Sequence, residues 1–371
     1  MTAMNRIPFI ILLLALVGVA TACGPKEMAP EEIYNQQASG VAMVLNQFYY
    51  SVELSDGSTI YFSDFKDGEL EDISFDEDSI IGSMAFGTAF FIGQDGSLLT
   101  NRHVVDPEIP KSEVKRYVQS MVISMKSELK QLQEVMASRY NELQQEIDDD
   151  THWEFDFDQG LHTEESEEND ERRALQEQLS DAYDKAQARI EALEAIDLSE
   201  IKITTHSKVS VAYHDSYVTG PEDFQPCVVI KTNGDDEADL ALIRLKNKQT
   251  PSNAHVFSLP EDQGNTLLGP DKEERETLSL NEQLVLIGYN EGVQLAATKE
   301  GIKAQLTTGN VSQQPDEDRV MYTIPVLNGS SGSPVLNRWG EVVAVNFAGI
   351  NGTQGFNFGI PLKQIRKFLE R

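Results

Sequence analysis

The sequence NGSSGSPV occupies residues 328–335 and places three serines among glycines and other small residues. A backbone with so few Cβ atoms can turn sharply, because glycine reaches conformations that other residues avoid. The N–H groups exposed by such a turn can surround a negative charge that develops on a substrate carbonyl. Serine and glycine clusters are also common in ordinary turns. The stretch alone therefore leaves two interpretations open, a nucleophile loop and a plain turn.

The charge of the chain narrows the classes of partner. Its 371 residues carry a formal net charge of −31. Such a charge keeps a protein soluble, disfavours nucleic acid and anionic lipid, and attracts basic polypeptide segments. The two cysteines, Cys23 and Cys227, give no spacing typical of zinc or disulfide sites. Cys227 lies in an apolar run, which indicates a buried thiol.

The N-terminal residues are typical of an export signal. Arg6 is followed by an apolar run at residues 7–19, which is shorter than the roughly 20 residues of a membrane span. Small residues at positions 20–22 precede Cys23 and resemble the lipobox of bacterial lipoproteins. This resemblance implies that residues 1–22 are a signal peptide and that Cys23 is lipidated. An ordinary secretory signal with a chance cysteine is the alternative, and either one exports the protein.

A β-hairpin pattern leads directly into one histidine. Residues 86–92 have the aromatic and apolar composition of a strand, residues 94–96 form a turn that ends in glycine, and residues 97–100 return. His103 follows, before two valines. A histidine at the end of a buried strand is usually structural. The hairpin and the apolar residues that follow would, however, fix the position of this one.

Residues 87–105 read GTAFFIGQDGSLLTNRHVV and resemble the histidine segment of HtrA/Deg-type proteases, a bacterial branch of the chymotrypsin-like serine proteases. In that family the histidine of a TNxHVV segment is the general base. The resemblance therefore implies this role for His103. The other five histidines have no comparable context.

Two further segments continue the resemblance. Residues 238–245, ADLALIRL, resemble the DLA segment of the chymotrypsin-like enzymes and imply that Asp239 is the catalytic aspartate. An aspartate beside an apolar strand is otherwise commonly a strand-edge cap. NGSSGSPV resembles the GNSGGP signature, with Ser330 in place of the asparagine and Ser333 in place of a glycine. It implies that Ser331 is the nucleophile and that the N–H groups of Gly329 and Ser331 form the oxyanion hole.

The resemblance also implies the fold and the reaction. The three residues follow one another as histidine, aspartate and serine, which is the chymotrypsin order. We expect a mainly β chain with two six-stranded antiparallel barrels. Residues 37–107 and 201–250 form the first barrel, 251–280 a linker, and 281–371 the second barrel with a terminal helix. A serine endopeptidase of this class cleaves polypeptides through an acyl-enzyme and needs no metal or organic cofactor.

A long helical insertion interrupts the first barrel at residues 108–200. Ten apolar residues from Val114 to Ile147 are spaced 4-3-4-4-3-4-4-3-4, which predicts one stripe on a long helix. A second helix carries Leu175, Leu179, Ala182, Ala186, Ile190 and Leu193. We expect the two to form an antiparallel hairpin, with parallel pairing to a second molecule as the alternative. The acidic residues 148–171 between them are interpreted as a solvated connection, with Trp153, Phe155 and Phe157 as a weaker docking hypothesis.

Location and regulation follow from these expectations. We expect a polar tether at residues 23–36 and a protease domain on the periplasmic side of a bacterial envelope, held to the membrane by the lipid. We expect no PDZ domain, which Deg proteases commonly carry after the protease domain. The helical hairpin 108–200 is the expected site for a protein partner. Val326 and Leu327, just before the nucleophile loop, indicate a preference for small apolar side chains.

Two other functions remain open at this point. One is a lipid-anchored binding scaffold that keeps a protease fold without turnover, which the large acidic hairpin and the missing PDZ domain favour. The other is a coiled-coil tether that carries an incidental protease domain. The complete set of His103, Asp239 and Ser331 favours a protease that hydrolyses peptide bonds in envelope quality control or regulated proteolysis.

Overall fold

The computed structural model describes residues 26–157, 160–164, 167–234, 238–259, 275–349 and 356–370. The expected signal peptide 1–22, the lipidation site Cys23 and residues 260–274 of the expected linker lie outside these ranges. Backbone contacts divide the chain into two units. One holds the residues up to 48, 82–108 and 206–371, and the other holds 49–81 and 109–205.

The elements follow one another along the chain with these bounds. Up to residue 200 they are α1 Pro30–Gln37, β1 Val41–Glu53, β2 Thr59–Phe62, β3 Asp64–Lys66, β4 Glu69–Glu71, β5 Ser83–Phe91, β6 Ser97–Thr100, α2 Arg102–Val105, α3 Lys111–Asp150, β7 His152–Asp156, β8 Gly160–Glu164 and α4 Glu167–Glu194. After it they are β9 Lys202–Tyr213, β10 Gln225–Thr232, β11 Ala241–Leu245, β12 Gln283–Gly288, α5 Val293–Ala296, β13 Ala297–Thr298, β14 Gly301–Ile302, β15 Gln305–Asn310, β16 Val320–Tyr322, β17 Pro334–Leu336, β18 Val342–Gly349, β19 Asn357–Pro361 and α6 Leu362–Glu370.

The first sheet closes into a six-stranded antiparallel barrel. Its strand order is β1-β5-β6-β11-β10-β9, and a further pairing of β1 with β9 joins the two ends. Alternate residues of these strands point inward, and Val44, Phe91, Leu98 and Ile243 are among the fully buried side chains of its core. The second sheet has the order β15-β12-β17-β18-β19-β16. A single bridge between Val311 and Tyr322 extends it, so within the described residues it is a half-barrel.

The chymotrypsin-like fold class expected from the sequence is thereby confirmed. The boundary of the first barrel differs from the expected one. Residues 49–81 were expected in the first barrel, but they belong to the same unit as the helical insertion. The end of β1 continues past the barrel, where Tyr50 to Glu53 pair with β2. In this second unit the ring of Phe65 packs edge-on against Tyr117 at 6.1 Å, which ties the β3–β4 hairpin to helix α3.

The expectation of a tether over residues 23–36 is wrong from Pro30 onward. These residues form α1, which begins with proline at its first turn, a position where the missing N–H is not needed. Ile33 is fully buried in the core. The hydroxyl of Tyr34 donates to the carbonyl of Ala304 at 2.8 Å, and the amide of Gln37 donates to that of Gly340 at 3.0 Å. Because Ile33 is buried and both Tyr34 and Gln37 bond to distant residues, this segment is part of the folded domain.

The inserted helices α3 and α4 run antiparallel, in agreement with the hairpin expected from the sequence. Lys130 of α3 pairs with Glu194 at the end of α4, whereas Gln144 near the end of α3 meets Gln176 near the start of α4. Helix α3 has 40 residues, which corresponds to about 60 Å. The pairing is therefore intramolecular in the second unit.

The predicted apolar stripe lies on one long helix, α3, and is only partly covered. Val114, Val118, Met136, Leu143 and Ile147 are buried as expected. Met125, Leu132 and Tyr140 are exposed by 41%, 49% and 38%. Helix α4 is shorter, and a single neighbour covers only a narrow face of a helix. Within the segment expected as a solvated connection, β7 and β8 form a two-stranded hairpin, in which Phe155 pairs with Leu161.

Within the described residues, we find no helix long and apolar enough to cross a membrane.

Candidate active site

The register of two neighbouring strands brings His103 and Asp239 together. Strands β6 and β11 are antiparallel, and Thr100 pairs with Ala241. The chain after Thr100 and the chain before Ala241 therefore leave the sheet at the same edge. His103 stands in the short helix α2 directly after β6, and Asp239 lies two residues before β11.

The carboxylate of Asp239 holds His103 at two atoms. One oxygen lies 2.5 Å from the imidazole Nδ1, and the other accepts the backbone N–H of His103 at 3.0 Å. The Asp239 side chain is 16% exposed, whereas the imidazole is 39% exposed. A carboxylate in this position fixes the orientation of the ring and stabilises its charged form, while the rest of the imidazole stays accessible.

Two neighbours of His103 contact the same aspartate, Asp239. The side-chain amide of Asn101 donates to the backbone carbonyl of Asp239 at 2.8 Å. Arg102 is buried and pairs with Glu108, and its Nε lies 3.9 Å from Asp239 Oδ1. The sequence reasoning assigned no role to these residues. The sequence signal for their role was the run of polar side chains from Asn101 to His103, which comes directly after strand β6.

The nucleophile loop is a tight structure that needs its glycines. Gly329 and Gly332 have φ angles of +88° and +87°, which residues with a Cβ rarely adopt. A Cβ on Gly329 would lie 2.4 Å from the carbonyl oxygen of Tyr289, and one on Gly332 would lie 2.0 Å from that of Thr88. Between them, the buried Ser330 hydroxyl donates to the carbonyl of Leu327 at 2.6 Å.

Thr88 of strand β5 anchors this loop. Its hydroxyl donates to the carbonyl of Gly329 at 2.8 Å and accepts the N–H of Tyr289 at 3.0 Å. Its own N–H donates to the carbonyl of Ser331 at 2.8 Å. The hydroxyl of Thr100 donates to the Thr88 carbonyl at 2.7 Å. Thr88 is fully buried, so all four bonds form away from water, and strand β5 fixes the backbone on both sides of the predicted nucleophile.

Asn346 of strand β18 supports the loop from the other side. Its side-chain amide donates to the carbonyl of Ser330 at 3.0 Å. Its backbone carbonyl accepts the N–H of Gly332 at 2.8 Å. Its side-chain oxygen accepts the hydroxyl of Tyr322 at 2.7 Å, and burial raises the pKa of that tyrosine well above its ordinary value. The sequence signal for this role was a lone asparagine within the apolar run VVAVNF, and no role was expected for it.

The predicted oxyanion hole has free donors. The N–H groups of Gly329 and Ser331 make no hydrogen bond to any residue that the structure describes. The hydroxyl of Ser331 lies 3.5 Å from the carbonyl of Phe347, and no hydrogen bond joins it to His103 among the described residues. The loop thus presents two unpaired N–H groups beside a hydroxyl that is only weakly bonded.

Other candidate groups are absent from this region or unsuited to catalysis. No cluster of three or more histidine, cysteine or carboxylate side chains that could hold a metal occurs among the described residues. Cys227 is buried, as predicted, and burial raises the pKa of its thiol to about 12. A thiol that stays protonated is a poor nucleophile. The two residues expected to set the side-chain preference differ in exposure. Val326 is half-buried against the core of the second sheet, and Leu327 is 53% exposed.

Comparison with known proteins agrees with this geometry. Residues 176–345 match the model of the trypsin-like peptidase domain, a range that contains Asp239 and Ser331 and begins after His103. Serine protease HTRA1 from Xenopus laevis and the protein of the same name from Xenopus tropicalis are each 33% identical over 138 residues. The aligned part is 36% of this chain and 26% of each relative, so the chain spans about a quarter of their length.

Among solved structures, a serine endoprotease from Yersinia pestis matches with a TM-score of 0.42 and 11% identity, over 93% of this chain and 66% of that one. These sequence matches support an HtrA/Deg-like protease with a trypsin-like peptidase domain.

Proposed function

We propose that the chain is a serine endopeptidase that cleaves polypeptides with His103, Asp239 and Ser331. The observation that carries this proposal is the two-point contact between the Asp239 carboxylate and His103. In the same chain, the N–H groups of Gly329 and Ser331 in the nucleophile loop bond to none of the described residues. A structural aspartate would need no such contact with an imidazole that remains 39% exposed.

Each step of the proposed reaction uses one of these groups. Ser331 Oγ attacks the scissile carbonyl while its proton passes to His103 Nε2. The N–H groups of Gly329 and Ser331 stabilise the oxyanion. His103 then gives the proton to the leaving amine, which leaves an acyl-enzyme. A water molecule, deprotonated by the same imidazole, hydrolyses this ester and restores the serine.

The missing bond between Ser331 and His103 is compatible with this role. Catalytic hydrogen bonds in substrate-free enzymes are often long, and they shorten when substrate binds. We expect the Ser331 hydroxyl to leave the carbonyl of Phe347 and to turn towards His103 in the substrate complex. The loop itself is already held by Thr88 and Asn346, so we expect its backbone to change little in that complex.

The proposal extends to the place of action. The lipobox-like residues before Cys23 support a lipid-anchored protein with its protease domain outside the cytoplasm, most simply on the periplasmic side of the bacterial envelope. Protein quality control or regulated proteolysis there fits an HtrA-like relative. Val326 and Leu327 favour small apolar side chains at the position before the cleaved bond.

A fluorophosphonate probe tests the proposal, because it reacts only with an activated serine. The wild-type protein spanning residues 24–371 should be labelled, and its Ser331→Ala variant should not. The Ser312→Ala variant, which changes an exposed serine, is the control and should be labelled like the wild type. Casein cleavage that follows the same pattern would establish a general endopeptidase. A folded wild-type protein that neither reacts nor cleaves would support the binding scaffold instead.

A further inference from the structure

An apolar notch lies between the two long helices of the insertion. We call it the tyrosine notch. Its lining consists of Met136, Ala137 and Tyr140 of α3 and Leu179 and Tyr183 of α4, with the polar Asn141 and Ser180 at its edge. Its volume is about 230 Å³, and an apolar cavity of roughly 150 Å³ is already large enough to hold benzene. The tyrosine notch therefore has room for one leucine, methionine or phenylalanine side chain.

Two glutamine pairs hold the walls of the notch in place. The amide of Gln133 donates to the carbonyl of Tyr183 at 3.4 Å and to Gln187 at 3.0 Å. The amide of Gln176 donates to the carbonyl of Tyr140 and to Gln144, both at 3.2 Å. Gln133 and Gln176 are buried, and each bonds to the backbone of a tyrosine that lines the notch. The opening is therefore fixed before any ligand binds, which lowers the entropy cost of binding.

Negative charge begins a short distance from the notch. Gln144 also donates to the exposed carboxylate of Asp148 at 2.8 Å, which lies eight residues after Tyr140, or about 12 Å along the helix. Residues 142–177 contain fifteen carboxylates and two arginines. The other part of the hairpin, residues 111–141 of α3 and 178–194 of α4, contains seven carboxylates and eight basic residues. The hairpin is thus strongly acidic on one side of the notch only.

This arrangement selects one kind of occupant. We call residues 142–150 and 167–177, which carry ten of these carboxylates, the acidic tip. A second copy of the chain would bring an equally acidic tip, and like charges in contact repel. A segment with an apolar side chain in the notch and basic side chains about 12 Å further on would gain both apolar burial and charge attraction. An amphipathic helix provides this spacing between residues separated by two turns.

We propose that the tyrosine notch and the adjacent acidic tip form a docking site for a basic amphipathic segment of another polypeptide, which inserts one apolar side chain between Tyr140 and Tyr183. The site lies wholly within the second unit. It goes beyond the proposed peptidase function, and its test does not require turnover.

The test measures binding of a synthetic peptide to the full chain carrying Ser331→Ala, which prevents cleavage. The probe is a fluorescent peptide of about 18 residues, or five helical turns, with leucine on one face and lysine elsewhere. Two controls have the same leucine positions with glutamate for lysine, and the same composition in scrambled order. We expect the probe to bind at least 10-fold tighter than either control by fluorescence anisotropy, and to weaken as salt is added.

A matched pair of variants separates docking from general charge attraction. Ala137→Arg places a long cationic side chain in the notch, whereas Ala188→Arg adds the same charge at an exposed position on α4. Ala137→Arg should weaken binding at least 10-fold and Ala188→Arg less than 3-fold. Tyr183→Ser, which removes one wall instead of filling the notch, should act like Ala137→Arg.

Three results would overturn the proposal. The first is equal binding of the amphipathic and scrambled peptides, and the second is equal binding by the Ala137→Arg and Ala188→Arg variants. The third is a dimer in light scattering that Ala137→Arg dissociates, which would make a second copy the occupant. Absence of fluorophosphonate labelling would count against the peptidase and leave these binding results unaffected.

Discussion

Thr88 and Gly329 are 241 positions apart in the chain, and the threonine hydroxyl donates to the glycine carbonyl at 2.8 Å. This bond fixes the peptide that follows Gly329, and the same hydroxyl also accepts the N–H of Tyr289. A residue of the first barrel therefore sets the shape of the loop that carries the proposed oxyanion hole.

Thr88→Val should damage both stability and turnover. Valine keeps the shape but leaves the Gly329 carbonyl and the Tyr289 N–H buried without partners, which costs about 1–3 kcal/mol for each group. We expect kcat/KM to fall by about 10²-fold, as misplaced catalytic groups do. Denaturant unfolding and peptide hydrolysis measure the two effects. Thr100→Val is the control, because the Thr100 hydroxyl donates to the Thr88 carbonyl and not to a carbonyl of the loop. It should reduce stability with a smaller loss of kcat/KM, and equal losses would contradict a positioning role for Thr88.

Asp239→Asn should leave the fold intact and remove most activity. Both oxygens of the carboxylate contact His103, and an amide in their place cannot stabilise the imidazolium or hold the same tautomer. We expect kcat to fall by about 10⁴-fold, measured on a peptide substrate with circular dichroism as a check on folding. Asp215→Asn is the matched control because that carboxylate pairs with Lys303. Activity within 10-fold of wild type in Asp239→Asn would exclude the proposed triad.

Gly332→Ala should be far more harmful than an alanine at another glycine with the same backbone angle. At Gly332 the new Cβ would lie 2.0 Å from the Thr88 carbonyl, whereas at Gly57, with φ of +83°, nothing lies within 4 Å. Gly57→Ala should cost about 1–2 kcal/mol from backbone strain alone. Gly332→Ala adds a clash of about 1–3 kcal/mol and should abolish labelling by the probe. Similar unfolding free energies for the two variants would show that the loop relaxes freely.

Stability should fall in mild acid because of His214. Its Nδ1 accepts the N–H of Ala304 at 3.1 Å, and Tyr34, Asp215 and Lys303 surround the ring. Burial lowers the pKa of His214, so the unfolded chain takes up the proton first, near the ordinary value of about 6.5. Its contribution is therefore present above that pH and is lost as the pH falls below it.

Thermal unfolding at neutral pH and at mildly acidic pH measures this effect. His214→Gln should lose some stability at neutral pH and should show a smaller further loss in acid than the wild type does. His255, whose pKa is also lowered by burial, is present in both proteins and cancels in the comparison. An equal acid-induced loss in the two proteins would show that His214 does not contribute.

Local sequence was sufficient for several strands and for the two inserted helices. The hairpin leading to His103 was predictable because alternation and a glycine turn are local properties. The helices of the insertion were predictable because their apolar residues repeat at helical spacing. Segment α1 was mistaken for a tether, since its composition is polar and Ile33 became a core residue only through distant partners.

The sequence by itself determined the residue types available for chemistry, their order along the chain, and the turns that present them, because glycine positions and apolar periodicity act over a few residues. Only the tertiary structure decided which polar groups meet. Thr88 with Gly329, Asn346 with Ser330, and Gln176 with Tyr140 join residues whose pairing depends on strand register and helix packing. Burial then makes each bond obligatory, since a polar group removed from water must find its partner wherever the fold places it.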